Sequence, residues 1–365
     1  MLIKEIIECL EQFAPLSLQE SYDNCGLIVG SDRTEITQAL VTLDCTEEVV
    51  DEAIQNGCNL IIAHHPIVFG GLKKLNGKNY IERTVIKAIQ HNISIYAIHT
   101  NLDNVLQGVN AKIAEKLGLQ KIQVLQPKSG LLMGLSTYVP EQNLEAVRDA
   151  LFTAGAGNVG NYSECSFVSA GNGTFLPEDG ANPVIGEMHK RHSDNEMKLE
   201  VVFPSHLLHP VMAALKKAHP YEEVAYNLVQ LANSYQEVGA GMVGELPEPM
   251  AEQQFLAYLK EKMELKNIRY TSFKDKKISK VALCGGAGSF LLKQAIGAGA
   301  QAYVSADFKY HEFFDAEKHL MIADIGHYES EKFTKSLICE VILKKFPTFA
   351  ILLSKTDTNP VNYYF

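Results

Sequence analysis

The feature that most constrains the fold is a repeated alternation of apolar runs with amphipathic segments. From residue 36 to about 117, apolar runs such as "CNLIIAHH" alternate with helical patterns such as "TEEVVDEAIQNG", and the same alternation returns from residue 278 to the end of the sequence. Strands that alternate with helices in this way indicate a parallel sheet covered by helices. We therefore predict an α/β protein in which two similar α/β halves form one core.

The middle of the sequence has a different pattern. Between residues 127 and 240, the order strand, helix, strand occurs twice, with polar turns and a Gly/Pro-rich stretch between the repeats. Two such units predict an inserted ferredoxin-like α+β domain. The predicted division is a first core half at 1–126, the insert at 127–240 and a second core half at 241–365, which suits a chain of 365 residues.

The two halves also resemble each other. The segment "EAIQNGCNLIIAHH", residues 52–65, aligns with "QAIGAGAQAYVSAD", residues 294–307, in helix end, turning glycine and following strand. We infer an internal duplication. In both halves polar residues follow the apolar strands, at the carboxyl ends where open α/β sheets place their ligands.

Charge and cysteine usage narrow the class of protein. The formal net charge is −10 and no Lys/Arg-rich cluster is present, which disfavours nucleic acid as a partner. The N-terminus lacks the apolar region of a signal peptide, and no run reaches the roughly 18 apolar residues of a membrane span. The seven cysteines are scattered singly, which is typical of a reducing compartment. We expect a cytoplasmic protein that acts on a small molecule.

Two adjacent histidines follow the apolar run "LIIA". His64 and His65 come at the end of a strand that should be buried on both faces, and Pro66 then stops the strand. One such histidine is usually a capping or packing residue, but two at one strand end favour metal ligation.

Two further strand ends supply similar chemistry. The run "ISIYAIHTNLD" ends with His99 and Asp103; we favour Asp103 as a ligand and His99 as a residue that supports the ligands or transfers a proton. The segment "DIGHYESEKF" begins a helix after a strand, and its His327 and Glu331 are four residues apart, on one helix face. Such a pair is often only a surface contact, but this one lies at the same sheet edge.

Together these side chains are more ligands than one tetrahedral ion needs. They predict two divalent ions bridged by a carboxylate, and mixed imidazole and carboxylate ligands suit zinc, iron or manganese. The predicted metal ligands are His64, His65, Asp103, His327 and Glu331.

These motifs resemble a known family. In order, "SYDNCGLIVG", "AHHPIVFGGL", "HTNLDN", "GNYSECSF", "AHPYEEVAYNL", "CGGAGS" and "IGHYESEKF" are similar to those of dinuclear metal-centre proteins named GTP cyclohydrolase 1 type 2 homologues, also known as an interacting-factor family named after a yeast coactivator partner. The resemblance implies that His64 and His327 bind one ion, that His65 and Asp103 bind the other, and that Glu331 bridges both. It also implies ring-shaped homohexamers.

Departures from the family pattern are small. Tyr22 replaces a usual tryptophan, and Ser305 with Ala306 replaces a usual Thr-Gly pair. Three residues after that pair are candidate pocket residues: Asp307, Lys309 and His311.

Three other segments have a weaker claim to a function. The turn "LCGGAGSF" can hold a phosphate at a helix start, but it lacks the P-loop lysine, and a plain tight turn is favoured. The segment "YDNCG" favours a turn over a pocket-edge role. In "AHPYEE", a turn is favoured over a second metal site at His219, Glu222 and Glu223.

The leading hypothesis is a metal-dependent hydrolase. A metal-bound hydroxide would attack a small substrate, with His99 and Glu331 as the catalytic residues, and the resemblance implies GTP cyclohydrolase type 2-like action on a nucleotide-like compound. The alternative is a non-catalytic regulatory or scaffold protein with a ligand-sensing insert. A catalytic site keeps positions open for water, whereas a structural site is saturated by protein ligands. Metal storage or delivery is a third interpretation.

Overall fold

The computed structural model describes residues 1–272 and 277–364. The chain forms two compact units, one made of Met1–Gln126 with Glu237–Phe365 and the other of Pro127–Gln236. Among the described residues, every helix is too short or too polar to cross a membrane. All seven cysteines are free thiols, and five of them are buried.

Helices alternate with strands along the first unit, and the second unit has its own helices and strands. Up to residue 129 they are α1 (Ile3–Phe13), β1 (Gly26–Val29), β2 (Ala39–Thr42), α2 (Glu47–Gln55), β3 (Leu60–Ala63), α3 (Tyr80–Gln90), β4 (Ser94–Ala97), α4 (Thr100–Asn104), α5 (Val109–Lys116) and β5 (Gln120–Ser129). Next come β6 (Leu132–Pro140), α6 (Leu144–Thr153), β7 (Phe167–Phe175), β8 (His192–Pro204), α7 (Leu208–Ala218) and β9 (Tyr226–Leu231). The remainder is β10 (Ser234–Met250), α8 (Glu252–Lys262), β11 (Arg269–Tyr270), β12 (Ile278–Ala287), α9 (Leu292–Gly297), β13 (Ala302–Ala306), β14 (Met321–Asp324), α10 (His327–Glu331), α11 (Thr334–Lys345) and β15 (Ile351–Leu353).

The first unit contains two mixed sheets. One has the strand order β1-β4-β3-β2-β15 and the other the order β11-β14-β13-β12-β10-β5. In each, three central strands are parallel, β2-β3-β4 and β12-β13-β14, and an antiparallel strand flanks them. The α/β fold predicted from the sequence is therefore confirmed.

Side chains of the central strands alternate between two cores. Leu60 and Ile62 belong to a large core that also contains Val281 and Leu283 of the other sheet, together with residues of α1, α5, α8 and α11. The opposite face of β3, with Ile61, packs against α2 and α3. Because both faces of these strands are covered, most of their residues are apolar. The helices between the sheets hold the two strand sets in one unit.

Two segments differ from the sequence-based expectation. The last strand, β15, does not extend the second sheet but pairs in parallel with β2 of the first. The segment "HEFFDAEKH", residues 311–319, stands where the alternation of the second half predicts an α-helix, but it lies largely within a 3-10 helix, Tyr310–Ala316. Glu317 and Lys318 follow with φ of 43° and 62°, a conformation that no α-helix continues.

The second unit is a sheet covered by two helices. Its elements follow the order β6-α6-β7-β8-α7-β9, and its strands lie in the order β7-β8-β6-β9, all antiparallel. Leu199, Val201 and Phe203 of β8 pack with Val147 of α6 and Val211 of α7. This β-α-β-β-α-β order is the basis of the ferredoxin-like interpretation, which stays a prediction.

Candidate metal centre

His64 and His65 extend from the end of a completely buried strand. All four residues of β3 have no exposed surface. The backbone N–H groups of His64 and His65 still donate to backbone carbonyls at the end of the adjacent strand, β2, those of Thr42 and Leu43. His64 is fully buried, and the side chain of His65 is 15% exposed. Pro66 cannot donate a ladder hydrogen bond, so the strand ends here and both imidazoles remain at its carboxyl end.

His99 and Asp103 lie beside this pair because the two strand ends are level. Ala97 of β4 pairs with Ala63 of β3, so the residues that follow each strand meet. His99 precedes α4, and Asp103 is carried by that helix. The backbone carbonyl of Asp103 accepts a hydrogen bond from the side-chain amide of Asn110, which ties α4 to α5.

His327 and Glu331 form the first turn after β14. Gly326 precedes α10 with φ of +89°, a conformation that suits glycine and turns the chain from strand into helix. Glu331 is 3% exposed. The sequence prediction that these two residues share one helix face is confirmed by the 3.2 Å separation of His327 Nε2 and Glu331 Oε2.

A single carboxylate oxygen lies at the centre of the group. Glu331 Oε2 is 3.1 Å from His65 Nε2, 3.2 Å from His327 Nε2 and 3.9 Å from His64 Nε2. Asp103 Oδ1 lies 3.6 Å from His64 Nε2. The structure therefore brings together all five residues that the sequence singled out as ligands.

Each histidine in the group is anchored through its other ring nitrogen. The Nδ1 atom of His64 is 2.8 Å from a backbone carbonyl oxygen, which can only accept, so Nδ1 carries the proton and Nε2 is turned inward. The other three Nδ1 atoms face carboxylates. The four contacts are His64 with Ile98 O, His65 with Asp44 at 2.8 Å, His99 with Asp23 at 2.9 Å and His327 with Asp307 at 2.6 Å. Partners of this kind orient metal-ligating imidazoles.

The inward-facing atoms lack hydrogen-bond partners. Nε2 of His64 and of His65, Oδ1 of Asp103 and Oε2 of Glu331 are all buried without a hydrogen bond. A buried polar atom without a partner is costly, and acceptors that face one another repel. A cation at the centre would satisfy all four atoms at once, so the donor set fits divalent metal ions.

Electrostatics describe the same need for positive charge. Burial lowers the pKa of His64 to about 3, so this ring is neutral. Burial also opposes charge on His65, but the carboxylates of Asp44 and Glu331 beside its ring outweigh that effect and raise its pKa to about 10. For Glu331, burial would raise the pKa, whereas its contacts with His327 and His65 hold it well below the usual range. The carboxylate at the centre is thus ionised and favours positive charge beside it, as the raised pKa values of His65 and His327 also indicate.

The distances between donor atoms group the side chains differently from the metal pairing that the family resemblance implies, and that pairing stays a prediction. That pairing joins His64 with His327 and His65 with Asp103, whereas His64 lies beside Asp103, and His65 and His327 flank Glu331. The reason is the anchoring of Nδ1: successive residues point in opposite directions, which turns His64 towards α4 and His65 towards α10. In the described residues, two groups of three side chains each have their donor atoms within 4.8 Å of one another. One group is His64, His65 and His99, and the other is His65, His327 and Glu331.

Several supporting residues were predicted less well. A cavity adjoins the candidate centre, and of the three candidate pocket residues Asp307 lines it and bonds to His327. Lys309 and His311 do not line this cavity. Asp23, given only a weak claim on sequence grounds, binds His99. Asp44 was missed, although its position at the end of "VTLD", beside the histidine pair, is the signal that could have revealed it.

The glycine-rich turn "CGGAG" makes room for the central carboxylate. A Cβ atom at Gly286 would lie 2.4 Å from Glu331 Oε1, and the φ of this residue is +61°. The Gly286 N–H donates to Ser330 Oγ on α10. The close packing of strand against helix accounts for the turn, as the tight-turn interpretation expected.

Both ring nitrogens of His219, in the second unit, form hydrogen bonds with backbone groups. Its Nε2 lies 2.9 Å from Tyr138 O, and its Nδ1 accepts from Tyr221 N–H at 3.1 Å. Neither ring nitrogen is available to a metal ion, which agrees with the turn interpretation of this segment.

Comparisons with known proteins find relatives that match nearly the whole chain. A sequence profile of the family described as Duf34/NIF3 (NGG1p interacting factor 3) matches residues 1–360. A Bacillus subtilis protein named GTP cyclohydrolase 1 type 2 homolog is 40% identical over 99% of this chain and 98% of its own length. A Staphylococcus epidermidis protein of the same name is 35% identical over 100% of both chains.

Solved structures of related proteins also superpose on the whole chain. The crystal structure of a Bacillus cereus protein related to NIF3 superposes with a TM-score of 0.88 at 38% identity, covering 100% of this chain and 99% of the other. A Staphylococcus aureus protein superposes with a TM-score of 0.79 at 30% identity, with the same coverage.

Proposed function

This chain belongs to the Duf34/NIF3 family, and we propose that it is a hydrolase that depends on two divalent metal ions. The observation that carries the proposal is the set of four buried donor atoms, from His64, His65, Asp103 and Glu331, that face one another without hydrogen bonds. Such an arrangement is costly without a cation and favourable around one. Relatives named GTP cyclohydrolase 1 type 2 homolog support a hydrolytic role.

The distances suggest how the residues would share two ions. His64 and Asp103 would hold one ion, His65 and His327 would hold the other, and Glu331 would contribute to both. These five protein ligands leave positions open for water or substrate, as a catalytic site requires. Zinc, iron and manganese all suit this ligand set.

Bound divalent ions would lower the pKa of a coordinated water towards neutrality and polarise the group under attack. The protein's own residues would orient the substrate and move the protons. His99 is held by Asp23 through Nδ1, and its ring lies 5.2 Å from the His64 ring and 5.1 Å from the His65 ring. We propose that its Nε2 carries the proton released during hydrolysis, with Asp23 fixing the tautomer.

The reaction class we propose is hydrolysis of a small substrate. The name of the relatives suggests a purine nucleotide, and water addition across a C–N bond would open its five-membered ring: oxygen bonds to carbon, the C–N bond breaks and the nitrogen takes up a proton. No oxidant or reductant is needed.

The test is hydrolysis by metal-loaded protein of purine nucleotides, nucleosides and phosphoesters, with Glu331→Gln as the variant and Glu317→Gln, an exposed carboxylate, as the matched control. We expect turnover by the wild type and by the control, and a loss of at least about 100-fold in Glu331→Gln. Full turnover by Glu331→Gln would contradict the proposed role of this carboxylate.

A non-catalytic regulatory role is the second candidate, and one observation favours it. The inserted unit has its own cavity of about 690 Å³, lined by residues such as Tyr138, Phe175 and Tyr221. A protein that binds metal tightly, turns over nothing and binds a small molecule in the insert would fit this candidate. The homohexamer implied by the resemblance stays a prediction, which light scattering of the purified protein would test.

A further inference from the structure

A cavity of about 610 Å³ adjoins the candidate metal centre. His65, His99 and His327 form part of its wall, so a molecule in the cavity would reach the ions. Across from them lies the segment after β15, with Asn359, Val361 and Tyr363. The nature of the remaining wall determines what kind of molecule fits.

Apart from the histidines of the candidate centre, the charged groups of this wall are mainly acidic. Among the described lining residues, four carboxylates face a single Lys or Arg side chain, that of Arg269. Arg269 donates to the Asp324 carboxylate and to the backbone carbonyl of Phe308, the latter at 3.1 Å. The guanidinium is therefore already engaged. The four carboxylates are those of Asp44, Asp307, Asp324 and Glu329.

Glu329 adds negative charge to the wall of the cavity. It lies on α10 between the two ligands of that helix and is 8% exposed. The neutral amide of Asn359 donates to it at 3.1 Å, and the neutral hydroxyl of Tyr363 also bonds to it. Within the part of the chain that the structure describes, no cation forms an ion pair with Glu329. Asp44 and Asp307 are turned towards the histidines that they anchor.

Much of the rest of the wall is apolar or aromatic, alongside the amides of Asn267 and Asn359. Phe69 lies edge-on to His99 with ring centroids 5.7 Å apart, and Tyr328, Pro360 and Val361 complete this surface. Flat apolar groups pack well against such walls. Polyphosphates, in contrast, are held by arginine and lysine side chains.

We propose that this cavity binds an uncharged or positively charged small molecule with a flat, apolar body, such as a heterocycle or its nucleoside, and that it discriminates against a nucleoside triphosphate. This inference rests on the proposed function, because the reacting group of the ligand would be held by the metal ions. It narrows the substrate class beyond the name of the relatives, since the triphosphate would meet carboxylates and one engaged guanidinium.

Ligands that share one metal-binding head and differ only in the charge of the tail test the proposal. Benzohydroxamate, 4-carboxybenzohydroxamate and 4-(aminomethyl)benzohydroxamate would be titrated into the cobalt(II)-loaded full-length protein, with the visible absorption of cobalt as the signal. We expect the carboxylate to bind at least about tenfold more weakly than the unsubstituted compound, and the amine to bind at least as tightly.

A charge added to the wall provides the second arm. Val361 lines the cavity and is 53% exposed, so Val361→Arg introduces a cation without touching a ligand. The matched control is Tyr364→Arg, which adds the same charge at a fully exposed position outside the lining. We expect Val361→Arg to reduce the discrimination against the carboxylate to about threefold or less, and the control to leave it unchanged.

Each failure has its own signature. Equal or tighter binding of the carboxylate to the wild type would overturn the proposal, and so would an unchanged cobalt spectrum with all three compounds. Failure of the protein to bind cobalt at all would instead overturn the proposed metal centre on which this inference depends.

Discussion

Nε2 of His65 and Oε2 of Glu331 lie 3.1 Å apart, and both atoms are buried without a hydrogen bond. His65 follows β3 of the first sheet, whereas Glu331 is carried by α10, directly after β14 of the second. The two atoms meet only when both sheets have packed onto their shared core. Metal binding by this pair would therefore be coupled to folding of the whole first unit.

Gly286 should tolerate no side chain, because of its contact with Glu331. In Gly286→Ala the new Cβ would lie 2.4 Å from Glu331 Oε1 at a φ of +61°, so we expect metal binding to fall and the free energy of unfolding to drop by about 2 kcal/mol or more. In the control, Gly299→Ala, the φ is +73° and the new Cβ would have no other atom within 4 Å. This variant should lose only about 1 kcal/mol of the free energy of unfolding, from the strained backbone. Metal analysis and denaturant unfolding would measure both effects; equal metal content in the two variants would argue against the steric explanation.

Asp44 should tune metal affinity without being a ligand. It accepts from His65 Nδ1 at 2.8 Å and from Thr358 Oγ1 at 2.7 Å, so it fixes the direction in which His65 Nε2 points. We expect Asp44→Asn to weaken metal binding by about 10- to 100-fold, measured by competition with a chromogenic chelator. Asp51→Asn, at a side chain that is 47% exposed and paired with Lys87, is the control and should bind normally. Unaltered affinity in Asp44→Asn would show that His65 needs no such support.

Glu52 should anchor the segment that follows β15. Its carboxylate accepts from the Lys355 N–H at 2.8 Å and the Thr356 hydroxyl at 2.7 Å. Burial alone would raise the pKa of Glu52, but these bonds outweigh it and hold the pKa below its ordinary value. The anchoring is thus complete above the unfolded pKa of about 4.3 and is lost as the pH falls through the lower folded value.

Amide hydrogen exchange would measure this anchoring. At pH 7, Glu52→Gln should lose protection at Lys355 and Thr356, whereas the wild type should lose it only in acid, below about pH 4, after correction for the intrinsic exchange rate. Protection that is the same in both proteins at pH 7 would mean that other contacts hold the segment.

Much of the centre could be predicted because strand ends are visible in the sequence. The runs before His64, His99 and His327 are largely apolar, and the polar residues at the carboxyl end of each must emerge at a sheet edge. The i, i+4 spacing of His327 and Glu331 similarly fixed one helix face. These local patterns need no knowledge of how the two sheets pack.

Other features depend on long-range packing that no local pattern encodes. The pairing of β15 with β2 joins the two ends of the chain, and it brings Thr358 to Asp44. The direction of each imidazole depends on its Nδ1 partner, which for His64 is a backbone carbonyl on the neighbouring strand. Such partners are specified by the fold, and this is why the candidate ligands could be predicted from the sequence while the distances between their donor atoms could not.

The most direct test is metal content per chain, measured by plasma mass spectrometry on untagged protein. The wild type, His64→Ala, His327→Ala and the control His319→Ala, at an exposed histidine, would be compared. We predict about two divalent ions in the wild type and the control, and fewer in both other variants, because each half of the first unit contributes ligands. A wild type without metal even after anaerobic reconstitution, or unchanged content in His64→Ala and His327→Ala, would contradict a centre built from both halves.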